Sequence, residues 1–128
     1  MNLVISNVMG IPIYEQLKRQ IKAAVLSGEL QEGEALPSLR TVARELRISV
    51  LTTARAYTEL EQEGFVVSIQ GKGCYVQGRN NALLREHLVR RTEEHLAEAI
   101  LTARQVGLSK KELHGLLEIL LQEEHQGD

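Results

Sequence analysis

Three observations predict a mainly α-helical fold that contains one small β-hairpin. Apolar residues recur at helical spacing in three runs between residues 12 and 64. Two short stretches of β-branched and aromatic residues then flank a glycine-rich turn, which is the pattern of a hairpin. From residue 82 onward the apolar residues return to helical spacing in two further runs. We therefore expect three helices, a hairpin and two more helices, in that order.

The composition narrows the class of protein. A chain of 128 residues has room for one domain, or for one small domain with a helical appendage. Its apolar runs are far shorter than the ~20 residues that span a bilayer, and we find no secretory signal pattern. Cys74 is its one cysteine, so we expect a protein of the reducing cytoplasm that has no membrane partner. The net charge of -2 attracts no nucleic acid in bulk, so such binding would rest on local charge.

The first helix is predicted over residues 12–27. Pro12 suits a first helical turn, because the N–H that proline lacks would have no partner there. Gly28 suits the left-handed position that follows a last turn. Residues 2–6, ahead of this helix, form either a short strand or a loose arm.

The second and third helices are predicted to follow each other across a very short turn. Ser38 is the candidate N-cap of the second helix and Ser49 that of the third, which ends at Gly64. Only Arg47 and Ile48 lie between the last apolar residue of one helix and the cap of the next, so the pair is predicted to form a helix-turn-helix. The inward faces are Leu39, Val42, Ala43 and Leu46 on the second helix and Thr53, Ala56, Tyr57 and Leu60 on the third.

A β-hairpin is predicted directly after the third helix. Residues 65–69 and 74–76 are the strand-like stretches, and residues 70–73 read Gln-Gly-Lys-Gly, a turn sequence. A hairpin in this position is the wing of a winged helix-turn-helix. Residues 78–81 then contain turn formers and no apolar side chain to bury. We therefore divide the chain into a winged helix-turn-helix domain, residues 1–78, and a helical segment, residues 79–128.

The helical segment is predicted to contain two helices that form a dimer. One helix covers residues 82–106, and a capping box at Ser109 and Glu112 opens another that runs to about residue 124. One short tail has too few other residues to cover the apolar faces of these helices, so we expect a second copy of the chain to cover them in a two-fold homodimer. The candidate dimer contacts are Leu88, Leu96, Ile100, Leu113, Leu116, Leu117 and Leu120.

A dense set of motifs runs through the first domain: Leu36-Pro37-Ser38-Leu39-Arg40, Val42-Ala43, Leu46, Ile48-Ser49, Thr52, Ala56-Tyr57, Leu60, Glu63-Gly64 and Gly71-Lys72-Gly73. With these residues the chain closely resembles, over roughly residues 11–77, the DNA-binding domain of GntR-family transcription regulators. The short tail resembles the YtrA-like branch, whose members are dimers often associated with control of transporter genes. The resemblance implies an operator-binding repressor or activator whose third helix enters the major groove and whose wing touches the neighbouring minor groove.

The sequence departs from the GntR pattern in the first turn of the third helix. The position after Ser49 is commonly Arg in the family and is Val50 here, and Thr53 replaces a usual aliphatic residue. The resemblance therefore does not carry the base contact of that Arg over to Val50, and the operator sequence does not transfer from relatives.

The candidate DNA contacts lie on the second helix, the first turns of the third helix and the tip of the wing. Arg40, Arg44 and Arg47 form a stripe opposite the apolar face of the second helix, which suits contacts to phosphates. The start of the third helix meets the bases in this fold, and a glycine-flanked Lys72 suits a minor groove or a phosphate. The full set is Ser38, Arg40, Arg44, Arg47, Ser49, Val50, Leu51, Thr52, Arg55, Gly71, Lys72 and Gly73.

Simpler interpretations compete with these assignments. A row of arginines is also typical of a helix face in water. Val50 and Leu51 suit either thymine methyl groups or packing against the wing or another protomer, and the sequence leaves both open.

The predicted function is a sequence-specific DNA-binding regulator of transcription, a repressor that binds a near-palindromic operator as a homodimer. The alternative is a winged helix that serves as a protein-interaction module without DNA. The sequence has no recognisable nucleophile-and-base arrangement, and its histidines are scattered, so we expect no enzyme, no cofactor and no metal. An unknown small-molecule effector stays open, and in so short a tail it would sit between protomers or between the domains.

Overall fold

The structure is a computed structural model and describes residues 1–7, 10–78 and 81–126. Five helices and one two-stranded antiparallel sheet lie within these residues, so the mainly helical fold with a winged helix-turn-helix is confirmed. Arg79 and Asn80, which belong to the predicted domain boundary, lie outside the described residues. The elements are α1 (Ile13–Ser27), α2 (Leu39–Leu46), α3 (Val50–Gln62), β1 (Val66–Ile69), β2 (Gly73–Val76), α4 (Ala82–Gln105) and α5 (Lys110–Gln126).

The core of the winged helix-turn-helix is built from α1, α3 and the base of the hairpin. Leu17 and Ile21 of α1, Leu60 of α3 and Phe65 ahead of β1 are all buried, with at most 1% of each residue exposed. Val42 of α2 joins them. The predicted inward face of α3 is buried throughout, because a helical period of 3.6 residues places those side chains on one side.

Two serine caps and a left-handed residue produce the tight turn between α2 and α3. The Ser38 hydroxyl accepts a hydrogen bond from the Thr41 N–H at 3.1 Å, and the Ser49 hydroxyl accepts one from the Thr52 N–H at 3.0 Å. Helix α2 ends at Leu46, and Arg47 follows with φ of 56°. Arg47 therefore lies in the turn and not on the helical stripe with the other two arginines.

The wing is a regular antiparallel hairpin with a third short segment at its edge. Val66 pairs with Val76 and Ile69 with Gly73 across β1 and β2. Ahead of α2, Ala35 forms an isolated bridge with Tyr75 on the free side of β2. Sequence periodicity does not predict this bridge, because a bridge of one residue has no alternating pattern to detect.

Residues 2–6 form an irregular arm and not a strand. The arm is held to α1 by two glutamine side chains. The amide of Gln20 accepts from the Val4 N–H at 2.9 Å and donates to the Val4 carbonyl at 2.6 Å. Gln16 makes the same pair of contacts with Ser6, at 2.9 and 2.6 Å. Side-chain amides thus take the place of a strand partner for this backbone.

Two compact units divide the chain, Met1–His87 and Leu88–Asp128. The first unit includes the opening turns of α4. Asn81 caps this helix, because its side chain accepts from the Leu84 N–H at 2.9 Å and donates to the Gly64 carbonyl at 3.1 Å. Gly64 has φ of 88°, and a Cβ there would lie 2.5 Å from the Leu84 nitrogen, so only glycine fits. The division of domains after residue 78 stays a prediction.

The second unit consists of the remainder of α4 and of α5. The predicted capping box is present, since the Ser109 hydroxyl accepts from the Glu112 N–H and the Glu112 carboxylate accepts from the Ser109 N–H, both at 3.1 Å. Ala103 is the one buried apolar residue described in this unit. None of the helices in the described parts of the chain is both long and apolar enough to cross a membrane.

Candidate DNA-binding surface

The cations of α1 and α3 are paired with carboxylates. The Lys18 ammonium, almost buried, lies 2.8 Å from Glu59 and 3.5 Å from Glu63. Burial alone would lower the pKa of Lys18, but the hydrogen bond to Glu59 and the neighbouring carboxylates outweigh it and raise the pKa above its ordinary value. The same hydrogen bond holds the pKa of Glu59 below its ordinary value. Lys22 lies 2.9 Å from Glu63, so neither lysine is free to bind an external anion.

Arg55, a candidate DNA contact, is also engaged within the protein. Its guanidinium lies 3.1 Å from the Glu59 carboxylate, donates to the Tyr14 hydroxyl at 3.0 Å and stacks 3.7 Å from the centre of the Tyr14 ring. Although 60% of the side chain is exposed, its charge is paired and its plane is fixed against α1. The structure therefore does not present Arg55 as an unpaired cation, and its predicted contact with DNA stays untested.

By contrast, the cations of α2, the following turn and the wing tip are exposed and unpaired. Arg40 and Arg44 lie on the outward side of α2, and Arg47 lies in the turn. Lys72 lies between Gly71 and Gly73, whose φ values of 77° and 112° suit a tight tip that side chains would strain. Within residues 1–7, 10–78 and 81–126 no carboxylate forms an ion pair with these four side chains. With Arg85 of α4, which is also exposed, they are the cations in the described part of this unit for which no carboxylate partner is found.

The first turn of α3 presents apolar side chains to solvent. At 100° per residue, Leu51 lies directly opposite the buried stripe of the helix, and it is 82% exposed. Val50 beside it is 45% exposed. The Thr52 hydroxyl accepts a hydrogen bond from the Ser49 hydroxyl at 2.8 Å, so its own proton is available to an acceptor outside the protein.

The wing tip and α3 border one groove of about 490 Å³. Ser38 lines it at the start of α2, Ala54 and Thr58 line it from α3, and Gly71 and Lys72 line it from the wing. Four of the candidate DNA contacts line this groove, namely Ser38, Gly71, Lys72 and Gly73. The other eight do not line it, and these are Arg40, Arg44, Arg47, Ser49, Val50, Leu51, Thr52 and Arg55. Sequence reasoning missed Thr41, whose hydroxyl accepts from Ser38 at 2.8 Å. The repeated Ser-x-x-Thr spacing at both helix starts was a signal that could have identified it.

The second unit has an apolar groove of its own, of about 610 Å³, between α4 and α5. Six of the seven candidate dimer contacts line it, and the seventh, Leu88, is half-buried outside it. Leu101, Ile119 and Leu121 add further exposed apolar surface in this unit. The six lining residues are Leu96, Ile100, Leu113, Leu116, Leu117 and Leu120.

The described residues contain no group of three histidine, cysteine or acidic side chains that could hold a metal ion. Cys74 is half-buried in the wing, and burial raises the pKa of its thiol, which keeps it protonated and poorly nucleophilic. We derive no catalytic role from these groups.

The model of the gntR family of bacterial regulatory proteins matches residues 13–76. These residues run from the start of α1 to the end of β2. The chain belongs to this family. Among its relatives, the HTH-type transcriptional repressor YtrA of Bacillus subtilis is 34% identical over 103 residues, which cover 80% of this chain and 79% of that protein. Longer gntR relatives match over 66 to 71 residues, so this chain spans only 15–28% of their length.

Several solved structures resemble nearly the whole length of the chain, and they include the following two. YtrA from Sulfolobus acidocaldarius, a GntR-family transcription factor, has a TM-score of 0.67 at 30% identity and covers 94% of this chain and 97% of its own. A transcriptional antiterminator from Listeria monocytogenes EGD-e has a TM-score of 0.71 at 31% identity, with 96% and 92% covered. Both alignments therefore extend into the helical tail of this chain.

Proposed function

We propose that this gntR-family transcription regulator represses its target genes by binding a near-palindromic operator as a homodimer. One observation gives the main support for the proposed DNA-binding surface. Every described cation of α1 and α3 has a carboxylate partner, whereas Arg40, Arg44, Arg47 and Lys72 have none among the described residues. A positive surface that borders the start of α3 suits phosphates on both sides of a major groove. A bacterial regulator that binds operator DNA would act in the cytoplasm, and this is the location that we propose.

The homodimer is supported by the second unit. Four leucines of α5, Leu116, Leu117, Leu120 and Leu121, are 42–61% exposed. Fully burying an exposed leucine side chain contributes roughly 1.5–3 kcal/mol. A second copy of the chain has the same apolar groove. In a two-fold dimer, the two grooves would cover each other. Small-molecule pockets fall in the range of about 300–1,000 Å³, so an effector that shares this groove with the second copy is compatible with its size.

A relative supports repression, and the proposed two-fold symmetry supports the form of the operator. YtrA of Bacillus subtilis, which matches along most of its length, is a transcriptional repressor. A two-fold dimer presents two identical α3 helices, so its operator should consist of two inverted half-sites spaced by whole turns of about 34 Å.

The test is a fluorescence anisotropy titration of the full chain with the DNA upstream of its own gene. We expect binding at least about 10³-fold tighter than to a shuffled duplex, and a steep loss of affinity as salt rises. The variant Arg40→Ala/Arg44→Ala should lose both properties, whereas Arg19→Ala, an exposed arginine paired with Glu15, should keep them. Equal, weak binding to both duplexes by the unaltered protein would favour the protein-interaction alternative.

A further inference from the structure

We infer that Leu51, with Val50 beside it, reads the operator by contact with thymine 5-methyl groups in the major groove. This inference rests on the proposed DNA binding and specifies its chemistry. Base recognition would be apolar in this chain, while the surrounding cations hold the phosphates. The expected operator half-site therefore carries thymine where the first turn of α3 meets the bases.

The position of Leu51 is the first step of the argument. It is the most exposed large apolar side chain of the described residues, at 82%. A single exposed leucine is ordinary on a protein surface. Here, however, it stands opposite the buried stripe in the first turn of α3, with Val50 before it and Ala54 one turn later. This part of the helix is the one that enters the major groove in helix-turn-helix proteins.

The second step is that α3 offers no free guanidinium. Guanine is most often read by an arginine or lysine that donates to its O6 and N7 atoms. Arg55 is the one cation of α3, and its guanidinium is bound to Glu59 and stacked on Tyr14. The position after Ser49 is Val50. The outward start of α3 thus consists of aliphatic side chains with the Thr52 hydroxyl at their edge.

The third step is the chemistry of the groove itself. Thymine carries the one methyl group that unmodified base pairs display in the major groove, and its neighbours there are polar atoms. An aliphatic side chain that packs on those polar atoms would remove their water and give them no hydrogen-bond partner, which costs free energy. The same side chain on the methyl group of thymine makes a favourable apolar contact. Arg40, Arg44 and Arg47 lie on α2 and in the turn that leads to α3. Their charges are complementary to phosphates and not to another apolar surface, so we infer that this apolar patch faces DNA.

The experiment removes single methyl groups from the operator. Duplexes that the full chain selects from random DNA are titrated by anisotropy, with each thymine replaced in turn by deoxyuridine, which keeps base pairing and lacks the methyl. We expect one or two positions per half-site at which affinity falls about fourfold, the effect of one buried carbon. In Leu51→Ala, the same replacement should change affinity by less than about 1.5-fold.

Matched variants separate this inference from its competitors. Lys72→Ala should bind all duplexes more weakly and keep the full ratio between thymine and deoxyuridine. A ratio near one at every position in the unaltered protein, or a ratio that Leu51→Ala leaves intact, would overturn the inference while DNA binding stands. Dissociation of the dimer by Leu51→Ala would assign the residue to a protein contact and overturn it too. Failure to select any duplex would overturn the proposed function and this inference together.

Discussion

The two units of the chain use the same kind of residue in opposite ways. In Met1–His87, leucines such as Leu17, Leu60 and Leu84 are completely buried and close a core within one chain. In Leu88–Asp128, Leu116, Leu117 and Leu120 are 48%, 42% and 61% exposed. Both units have amphipathic helices, so helical periodicity alone does not distinguish a core from a surface for another molecule. The number of elements that can pack on each face decides the difference.

The largest effect is expected when charged side chains are placed in the apolar groove of the second unit. We expect Leu116→Glu/Leu120→Glu to convert the proposed dimer to a monomer, because each copy would have to bury carboxylates in the apolar groove of the other copy. Loss of the linked second site should weaken operator binding by about 10²- to 10⁴-fold. Sedimentation and anisotropy measure the two effects. Gln122→Glu, on the opposite side of α5, should change neither, and a dimeric double variant would remove this groove from the interface.

The next prediction compares one leucine from each unit. Leu60→Ala should lower the free energy of unfolding by about 2–5 kcal/mol, because it leaves a cavity in a closed core. That loss should be the same at every protein concentration. Leu117→Ala should instead produce a loss that shrinks as concentration rises, because its proposed partner is a second chain. Urea denaturation at several protein concentrations measures both, and a concentration-independent effect of Leu117→Ala would place it in an internal core.

A smaller effect is expected at Arg40. Arg40→Ala should weaken operator binding by about 1–3 kcal/mol and reduce the salt dependence, while folding stays intact because the side chain is exposed. Arg19→Ala is the matched control, since that guanidinium is 61% exposed but lies 3.3 Å from Glu15. Titration of both variants at three salt concentrations measures the difference. Equal affinity for the two variants at moderate salt would exclude Arg40 from the DNA-binding surface.

The smallest predicted effect is a pH dependence within the first unit. The pKa of Glu59 is held below its ordinary value of 4.5, so its pairing with Lys18 stabilises the fold above that pH and is lost as the pH falls below it. Glu59→Gln should therefore be less stable than the unaltered protein at pH 7 and closer to it at pH 3. Glu45→Gln, an exposed position on α2, is the control. Parallel stability curves for Glu59→Gln and the unaltered protein would contradict the assignment.

Local sequence signals predicted most of the first unit. The caps at Ser38 and Ser49 and the capping box at Ser109 are present, because each is decided by residues within one helical turn. Contacts between distant residues were not predictable in this way. Arg55 looked like a free cation until the fold brought Tyr14, 41 residues earlier, beneath its guanidinium.

The same limit applies to the end of the first unit. Residues 78–81 have the composition of a boundary, yet Asn81 ties the start of α4 to Gly64, 17 residues earlier. The bridge at Ala35 is another pairing across distant parts of the chain. Periodicity also does not predict which surface of the second unit contacts a partner. Exposed and buried apolar stripes have the same spacing along a helix.

The number of chains on one operator tests the central claim most directly. Light scattering or sedimentation of the full chain with a duplex that contains both half-sites gives the mass of the complex. The account predicts two chains on each duplex, a free protein that is already dimeric at micromolar concentration, and much weaker binding to a duplex with one half-site. A monomer that binds one per operator, with equal affinity for whole and half-site duplexes, would contradict it.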